Sequence, residues 1–336
     1  MDSTLFSHLA RIRLYSIFEE LVLSVLRFDL FLSRTRYGLL FFYRRSHARS
    51  YRTWTVGSAL VERFRDKGLE IAGYDIDPER IKAHEGDGFT PCKSPADVAD
   101  KARRIVLSLP DSYVVNDVVT GARGVLSAAS PGAIIVDTTT ADPQMSTALA
   151  KRLESRSIRF LDATILGSSK QVRESDVLVM VGGTLPVFEL CTDIFEAFSL
   201  MTFHMGPSGK GAEAKLIVNL VLGLNRLVLA EGLVLAQKTG VDIDVLLDVF
   251  KMGGAYSRVM DIKGEKMITG DFTTQAALDQ HLKDVELILD LGARTETPLP
   301  VTGLHAQLLR TGVALGLAEQ DNSAIVEVLR KMAGIK

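Results

Sequence analysis

The sequence predicts an α/β fold, a mainly parallel sheet with helices on both faces, followed by an all-helical C-terminal domain. Three observations carry this expectation. Short apolar runs alternate with helical patterns from residue 57 onward, as in a parallel sheet buried on both sides. Strand patterns stop after Gly206. Beyond it, helical periodicity is broken only at Gly240, Gly253–Gly254, Gly270 and Pro298/Pro300.

The elements follow in order. Leu69–Asp75 is an apolar strand ending in an acid, and Pro78 opens a helix at its first turn, where the missing N–H costs little. Arg104–Leu109 is a buried strand stopped by Pro110, and Ala133–Thr138 is another, followed by a helix from Pro143 to about Arg156. Arg159–Ile165, Val177–Val181 and Met201–Met205 complete the strands. The predicted helices of the second half are 211–238, 242–252, 257–268, 277–294, 301–316 and 323–333. Three segments result: an atypical N-terminal stretch (1–54), an α/β domain (55–206) and a helical domain (207–336), with the chemistry expected in the cleft between the last two.

Composition narrows the function. Of 336 residues, 47% are hydrophobic and 24% charged, as in a globular protein, and a net charge of −2 gives no reason to expect nucleic acid or an anionic membrane as partner. Cys92 and Cys191 have no CxxC or Cys-His context; they read as small core residues in a reducing, cytoplasmic setting. The six histidines lack ligand spacing, so no metal site is expected. The apolar run Leu216–Ala236 is interrupted by Asn219, Asn225, Arg226 and Glu231 and reads as a buried helix rather than a membrane span. Leu21–Phe42 is likewise broken by Arg27, Asp29, Arg34 and Arg36.

Four motifs carry chemistry. The first is Thr55–Leu60, with Gly57 opening a helix and Asp75 eighteen residues further at a strand end, where an acid accepts hydrogen bonds from the ribose hydroxyls of a dinucleotide. Such an acid disfavours a 2′-phosphate, which points to NAD, while nearby Arg80 keeps NADP open. A G-x-G-x-x-G ending at Gly57 would need glycines where Arg52 and Trp54 stand, so one glycine alone is a weak signal. The second, Asp137–Thr140, ends a strand where α/β sheets bind ligands; Thr139 and Thr140 can touch nicotinamide or a substrate carboxylate, although, taken alone, helix capping by Thr140 or Asp142 is the better explanation of the motif.

The third and strongest motif is Gly206–Asn219. Three glycines precede a long helix on which Lys215 and Asn219 stand one turn apart, at the domain boundary. A buried lysine with a lowered pKa can exchange the proton of a carbinol hydroxyl, and an amide can orient its oxygen. A solvated Lys and Asn is the bland alternative, weakened because Asn219 lies in an apolar run. The fourth is Lys283–Asp290, where Lys283 either reaches toward the site or sits on a charged helix face.

Together these segments resemble the β-hydroxyacid dehydrogenase family, in its 3-hydroxyisobutyrate dehydrogenase-like branch, over residues 55 to about 332. The resemblance implies a Rossmann-type domain plus a helical domain, NAD (NADP possible) as cofactor, a small-molecule substrate, and a homodimer or homotetramer. By the same resemblance Lys215 is the catalytic lysine and Asn219 the substrate-orienting asparagine. Leu109 and Pro110 form the loop beside the cofactor, Lys283 belongs to a later K-D pair near the nicotinamide, and Gly167 and Ser168 belong to the substrate loop Asp162–Ser168. There Leu166 replaces the family's serine and Ser168 a glycine, which argues for a different, less polar substrate.

Residues 1–54 show nothing like the expected first strand with its glycines. The preferred reading is translation from a wrong start or frame, with the family pattern resuming at Thr55; the other is a genuine extension in which Gly38–Tyr43 stands in as the first strand. Two functions compete accordingly: an active NAD(P)-dependent dehydrogenase or reductase, and an impaired binding or scaffold protein of the same fold.

Overall fold

The computed structural model describes residues 37–41, as backbone, and 56–335. Its sheet has eight strands: β1 (Tyr37–Phe41), β2 (Ile71–Asp75), β3 (Phe89–Pro91), β4 (Arg104–Ser108), β5 (Ile134–Asp137), β6 (Arg159–Leu166), β7 (Leu178–Gly182) and β8 (Met201–Gly206). They lie in the order β3-β2-β1-β4-β5-β6-β7-β8, parallel as far as β6; β7 runs antiparallel to β6, and β8 parallel to β7. The order 3-2-1-4-5-6 is that of a dinucleotide-binding sheet, whose ligands lie outside the carboxyl ends of the strands, where the order reverses between β1 and β4.

β1 falls in the N-terminal segment that the sequence leaves with two readings. Tyr37–Phe41 pairs in register with β2 on one side and β4 on the other, filling the centre of the sheet. It overlaps the Gly38–Tyr43 run that the second reading takes as the first strand; Phe42 and Tyr43 lie outside the described residues.

The α/β helices among the described residues are α1 (Val56–Asp66), α2 (Pro78–His84), α3 (Pro95–Lys101), α4 (Ser112–Thr120), α5 (Pro143–Glu154), α6 (Ser169–Arg173), α7 (Leu185–Glu189) and α8 (Thr192–Glu196). Five of them begin at an acid or serine that accepts from their own first-turn amides: Asp77, Ser94, Asp111, Asp142 and Ser168. One apolar core joins α1 and α8 to the sheet through Phe64, Phe195 and Phe198, with edge-on ring pairs at 6.0 and 6.4 Å. A second covers the opposite face through Val98, Val115, Val118 and Leu149. Both cysteines are buried and unpaired.

The helical domain consists of α9 (Lys210–Thr239), α10 (Ile243–Met252), α11 (Arg258–Thr269), α12 (Leu278–Arg294), α13 (Pro300–Ala314) and α14 (Ile325–Met332). Their ends match the sequence expectation closely. α9 is long and apolar enough to cross a bilayer by composition, with mean hydropathy 1.7. Yet it buries Lys215, Asn219 and Arg226 and packs on β6, β7, α11, α12 and α14. It is the spine of the molecule.

Its start is built into the sheet. Asp162, buried on β6, accepts from Gly209 N–H at 2.7 Å through Oδ1 and from Ala212 N–H at 2.9 Å through Oδ2. Thr164, two residues on and so on the same sheet face, donates to Gly211 C=O at 3.0 Å. A Cβ at Gly211 would stand 2.3 Å from Asp162 C=O, so only glycine permits this approach, and Gly209 has φ +96°, a left-handed conformation glycine adopts freely.

Candidate active site

The residues singled out from sequence converge where α9 leaves the sheet. Lys215 stands one turn beyond Gly211 and is 8% exposed. Burial pulls its pKa down to about 8, against the opposing charge of Asp284. Asn219, one turn further, is also buried, and its Nδ2 donates to Asp284 Oδ2 at 3.1 Å. The other carboxylate oxygen, Asp284 Oδ1, has no hydrogen-bond partner among the described residues and lies 3.6 Å from Lys283 Nζ. Burial raises the Asp284 pKa, opposed by Lys283 and Lys215. An amine, an amide and a carboxylate thus meet in one buried patch contributed by α9 and α12.

Lys283 spans the cleft. Its Nζ donates to Pro110 C=O at 3.1 Å, and its side chain remains 31% exposed. Pro110 follows β4 at the carboxyl edge of the sheet, and Leu109 beside it donates its N–H to Thr139 Oγ1 at 3.1 Å. Thr139 N–H donates in turn to Asp137 Oδ1 at 3.0 Å, and Thr138 Oγ1 donates to Leu107 C=O at 2.7 Å. The hydroxyls of Thr138 and Thr139 therefore tie the ends of β4 and β5 together. Asp137 is fully buried and its carboxyl is pushed up to about 7. Thr140 is half-buried, and Asp142 rather than Thr140 caps α5.

The substrate loop is similarly occupied. Gly167, at φ +149°, has no room for a side chain, because a Cβ would stand 2.5 Å from Val177 Cγ1. Ser168 caps α6 in a capping box: its Oγ accepts from Gln171 N–H, and its N–H donates to Gln171 Oε1 at 3.0 Å. Both polar groups of Ser168 are engaged within the loop. Leu166 continues the β6 row of Asp162 and Thr164, which places it on the face that α9 covers.

Asp75 ends β2. Its Oδ1 accepts from Asp77 N–H at 2.8 Å, while buried Oδ2 has no hydrogen-bond partner among the described residues, with Arg80 Nη1 at 3.6 Å. Burial pushes its carboxyl up to about 6. A buried carboxylate oxygen at this strand end, paired with Arg80 but accepting no hydrogen bond among the described residues, fits the ribose-hydroxyl acceptor of a dinucleotide. Gly57 is buried in the first turn of α1, and the rest of the expected phosphate loop lies outside the described residues.

Sequence reasoning missed the capping role of Asp162 and the anchoring of Asn219 by Asp284. A lone acid in an apolar strand is the signal for the first; the second joins residues 65 positions apart, with no local trace.

Residues 55–206 match the NAD binding domain of 6-phosphogluconate dehydrogenase, and residues 209–329 match the NAD-binding domain of NADP-dependent 3-hydroxyisobutyrate dehydrogenase. The chain is 31% identical to 2-(hydroxymethyl)glutarate dehydrogenase of Eubacterium barkeri, covering 83% of this chain and 93% of that one. It is 29% identical to glyoxylate/succinic semialdehyde reductase 1 of Arabidopsis thaliana, covering 82% and 95%. Among solved structures, Mycobacterium tuberculosis 3-hydroxyisobutyrate dehydrogenase superposes with a TM-score of 0.78 at 23% identity, covering 88% of this chain and 99% of that one.

Proposed function

Since this chain belongs to the β-hydroxyacid dehydrogenase family of NAD(P)-dependent oxidoreductases, we propose that Lys215 is its proton donor and acceptor and Asn219 the group that orients the reacting oxygen. The observation that carries this reading is the buried cluster of Lys215, Asn219 and Asp284 opposite the carboxyl edge of a dinucleotide-type sheet. The scaffold alternative is not favoured, because relatives matched along nearly their whole length are named as dehydrogenases and reductases.

Asp75 would hold the adenosine ribose, Leu109 and Pro110 would flank the nicotinamide half, and Lys283 would close over it from α12. Bound nicotinamide supplies or accepts the hydride. In reduction, one hydride and one proton convert a carbonyl to a carbinol. Lys215 holds the proton at Nζ and releases it to the oxygen as negative charge develops there; in oxidation the neutral amine takes the hydroxyl proton. Asp284 fixes one N–H of the Asn219 amide and leaves the second N–H and Oδ1 to orient the oxygen. Burial excludes water, so that the proton passes between these partners.

The substrate is a small β-hydroxyacid or related carbonyl compound, with an apolar contact from Leu166. The Asp75 carboxylate favours NAD over NADP. We assign a cytoplasmic homo-oligomer, supported by the two unpaired cysteines and by the exposed apolar stripe of Ile217, Val221, Val228 and Leu235 along α9.

Stopped-flow reduction measured across pH tests the assignment. The rate should fall as pH rises through about 8, where Lys215 loses its proton. Lys215→Met should lower kcat by about 10²–10⁴-fold while leaving NADH affinity, measured calorimetrically, unchanged. The buried amine has a folded pKa below its unfolded value. It therefore costs stability below about pH 8, a cost relieved as pH climbs toward 10.5. Lys215→Met should accordingly gain up to about 3 kcal/mol at pH 7. A variant that turns over normally would remove lysine from the reaction.

A further inference from the structure

The helical domain buries a second polar cluster that the proposed reaction does not use. Arg226 lies three turns beyond Lys215 on α9 and is only 4% exposed. Its Nε and Nη1 have no hydrogen-bond partner among the described residues. Burial lowers its pKa to about 10, which leaves the guanidinium charged at neutral pH. The imidazoles of His281 on α12 and His305 on α13 face the same stretch of α9, with ring centroids 5.2 Å apart. Both approach Gly223, on the same helix face as Arg226: a Cβ there would meet His281 Nε2 at 2.7 Å and His305 Cε1 at 3.0 Å. His281 Nε2 is also buried without a partner. Burial and the Arg226 charge lower the pKa of both histidines, that of His305 to about 4, so both rings are neutral at pH 7.

The nearest acid does not compensate Arg226. Asp321 takes both its oxygens to Lys263 Nζ, at 2.9 and 2.8 Å. It further accepts from the backbone N–H of Gln275 at 3.0 Å, from that of Ser323 at 3.1 Å, and from Ser323 Oγ at 2.7 Å. That pair is electrically neutral and its acceptor capacity is used. One positive charge remains in the core, with two nitrogens of the guanidinium, Nε and Nη1, unsatisfied among the described residues. An unpaired buried charge is costly, and arginine cannot avoid the cost by losing its proton.

We propose that Arg226, with His281 and His305 as its neutral walls, forms a buried binding site for one small monovalent anion of the chloride class. An anion answers both deficits together: it accepts from a guanidinium N–H and cancels the charge. A water molecule answers only the first.

Crystals of the full-length protein soaked in bromide should show an anomalous peak within hydrogen-bond distance of the Arg226 guanidinium. Melting temperature should rise by about 2–4 °C when chloride replaces gluconate, an anion too large to enter, at constant ionic strength. Arg226→Met should abolish that rise. Electron density for water alone at the site would overturn the proposal, as would equal melting in the two salts. If Arg226→Met does not fold, the bromide map and the salt comparison on the unaltered protein decide the matter. All readouts are independent of turnover.

Discussion

The two faces of the cleft handle buried polarity in opposite ways. On the sheet side the groups nearest the cleft satisfy one another: Thr139 holds Leu109 and Asp137, Thr138 holds Leu107, and Asp162 holds the amides of Gly209 and Ala212. On the helical side the polar groups keep unused capacity, in Asp284 Oδ1, the Lys215 amine and the second N–H of Asn219. Unused capacity next to a cleft is destabilising unless something arrives to use it. The sheet edge is therefore a finished frame, and the α9–α12 face is the reactive half. Asp75, whose Oδ2 accepts no hydrogen bond among the described residues and faces Arg80, is the exception on the sheet side and stands where a ligand hydroxyl is expected.

This contrast can be broken by substitution. The largest effect is expected on the frame: Asp162→Ala strands two buried amides at the start of α9 and should cost about 2–4 kcal/mol, read by denaturant titration. Activity per folded molecule should stay within a few-fold. On the reactive face the pattern should invert. Asp284→Leu removes the negative charge that raises the Lys215 pKa and releases the Asn219 amide. It should lower kcat by about 10–100-fold and move the alkaline limb of the rate profile below about 8, with little loss of stability. The smallest effect belongs to the bridge between the faces. Lys283→Met deletes the contact with Pro110 and should weaken NADH binding by about 3–10-fold in calorimetry, leaving kcat at saturation nearly unchanged. Should Asp162→Ala abolish chemistry while Asp284→Leu mainly unfolds the protein, the division of labour is wrong.

Much of this was legible before any coordinates. Strands such as Arg104–Leu109 and Ala133–Thr138 are runs of branched apolar residues, and α9 to α14 carry helical periodicity with glycine or proline at their ends, so local chemistry declares them. The three residues of β3 and the five-residue helices α6, α7 and α8 are too short to show a period. β1 was obscured by an Arg- and aromatic-rich context that lacks the flanking glycines of a dinucleotide fold. Of the site, the Lys215–Asn219 turn is a spacing and could be read. The roles of Thr139 and Ser168 could not: a hydroxyl in a sequence is equally a ligand contact or a tie, and only its partners tell which.

The rivet at Asp162 has a mechanical corollary. α9 is about 45 Å long and anchored to the sheet within its first turn, so the nearby amine moves with the sheet rather than with the bulk of the helical lobe. Asp284 and Lys283 ride on a separate helix whose ties to the sheet domain are side-chain contacts, Lys283 Nζ to Pro110 C=O and Arg294 to Asp142. Opening of the cleft that breaks these ties would move α12 relative to Lys215, separating the carboxylate from the amine it tunes. Admission of cargo and adjustment of the proton donor become one movement.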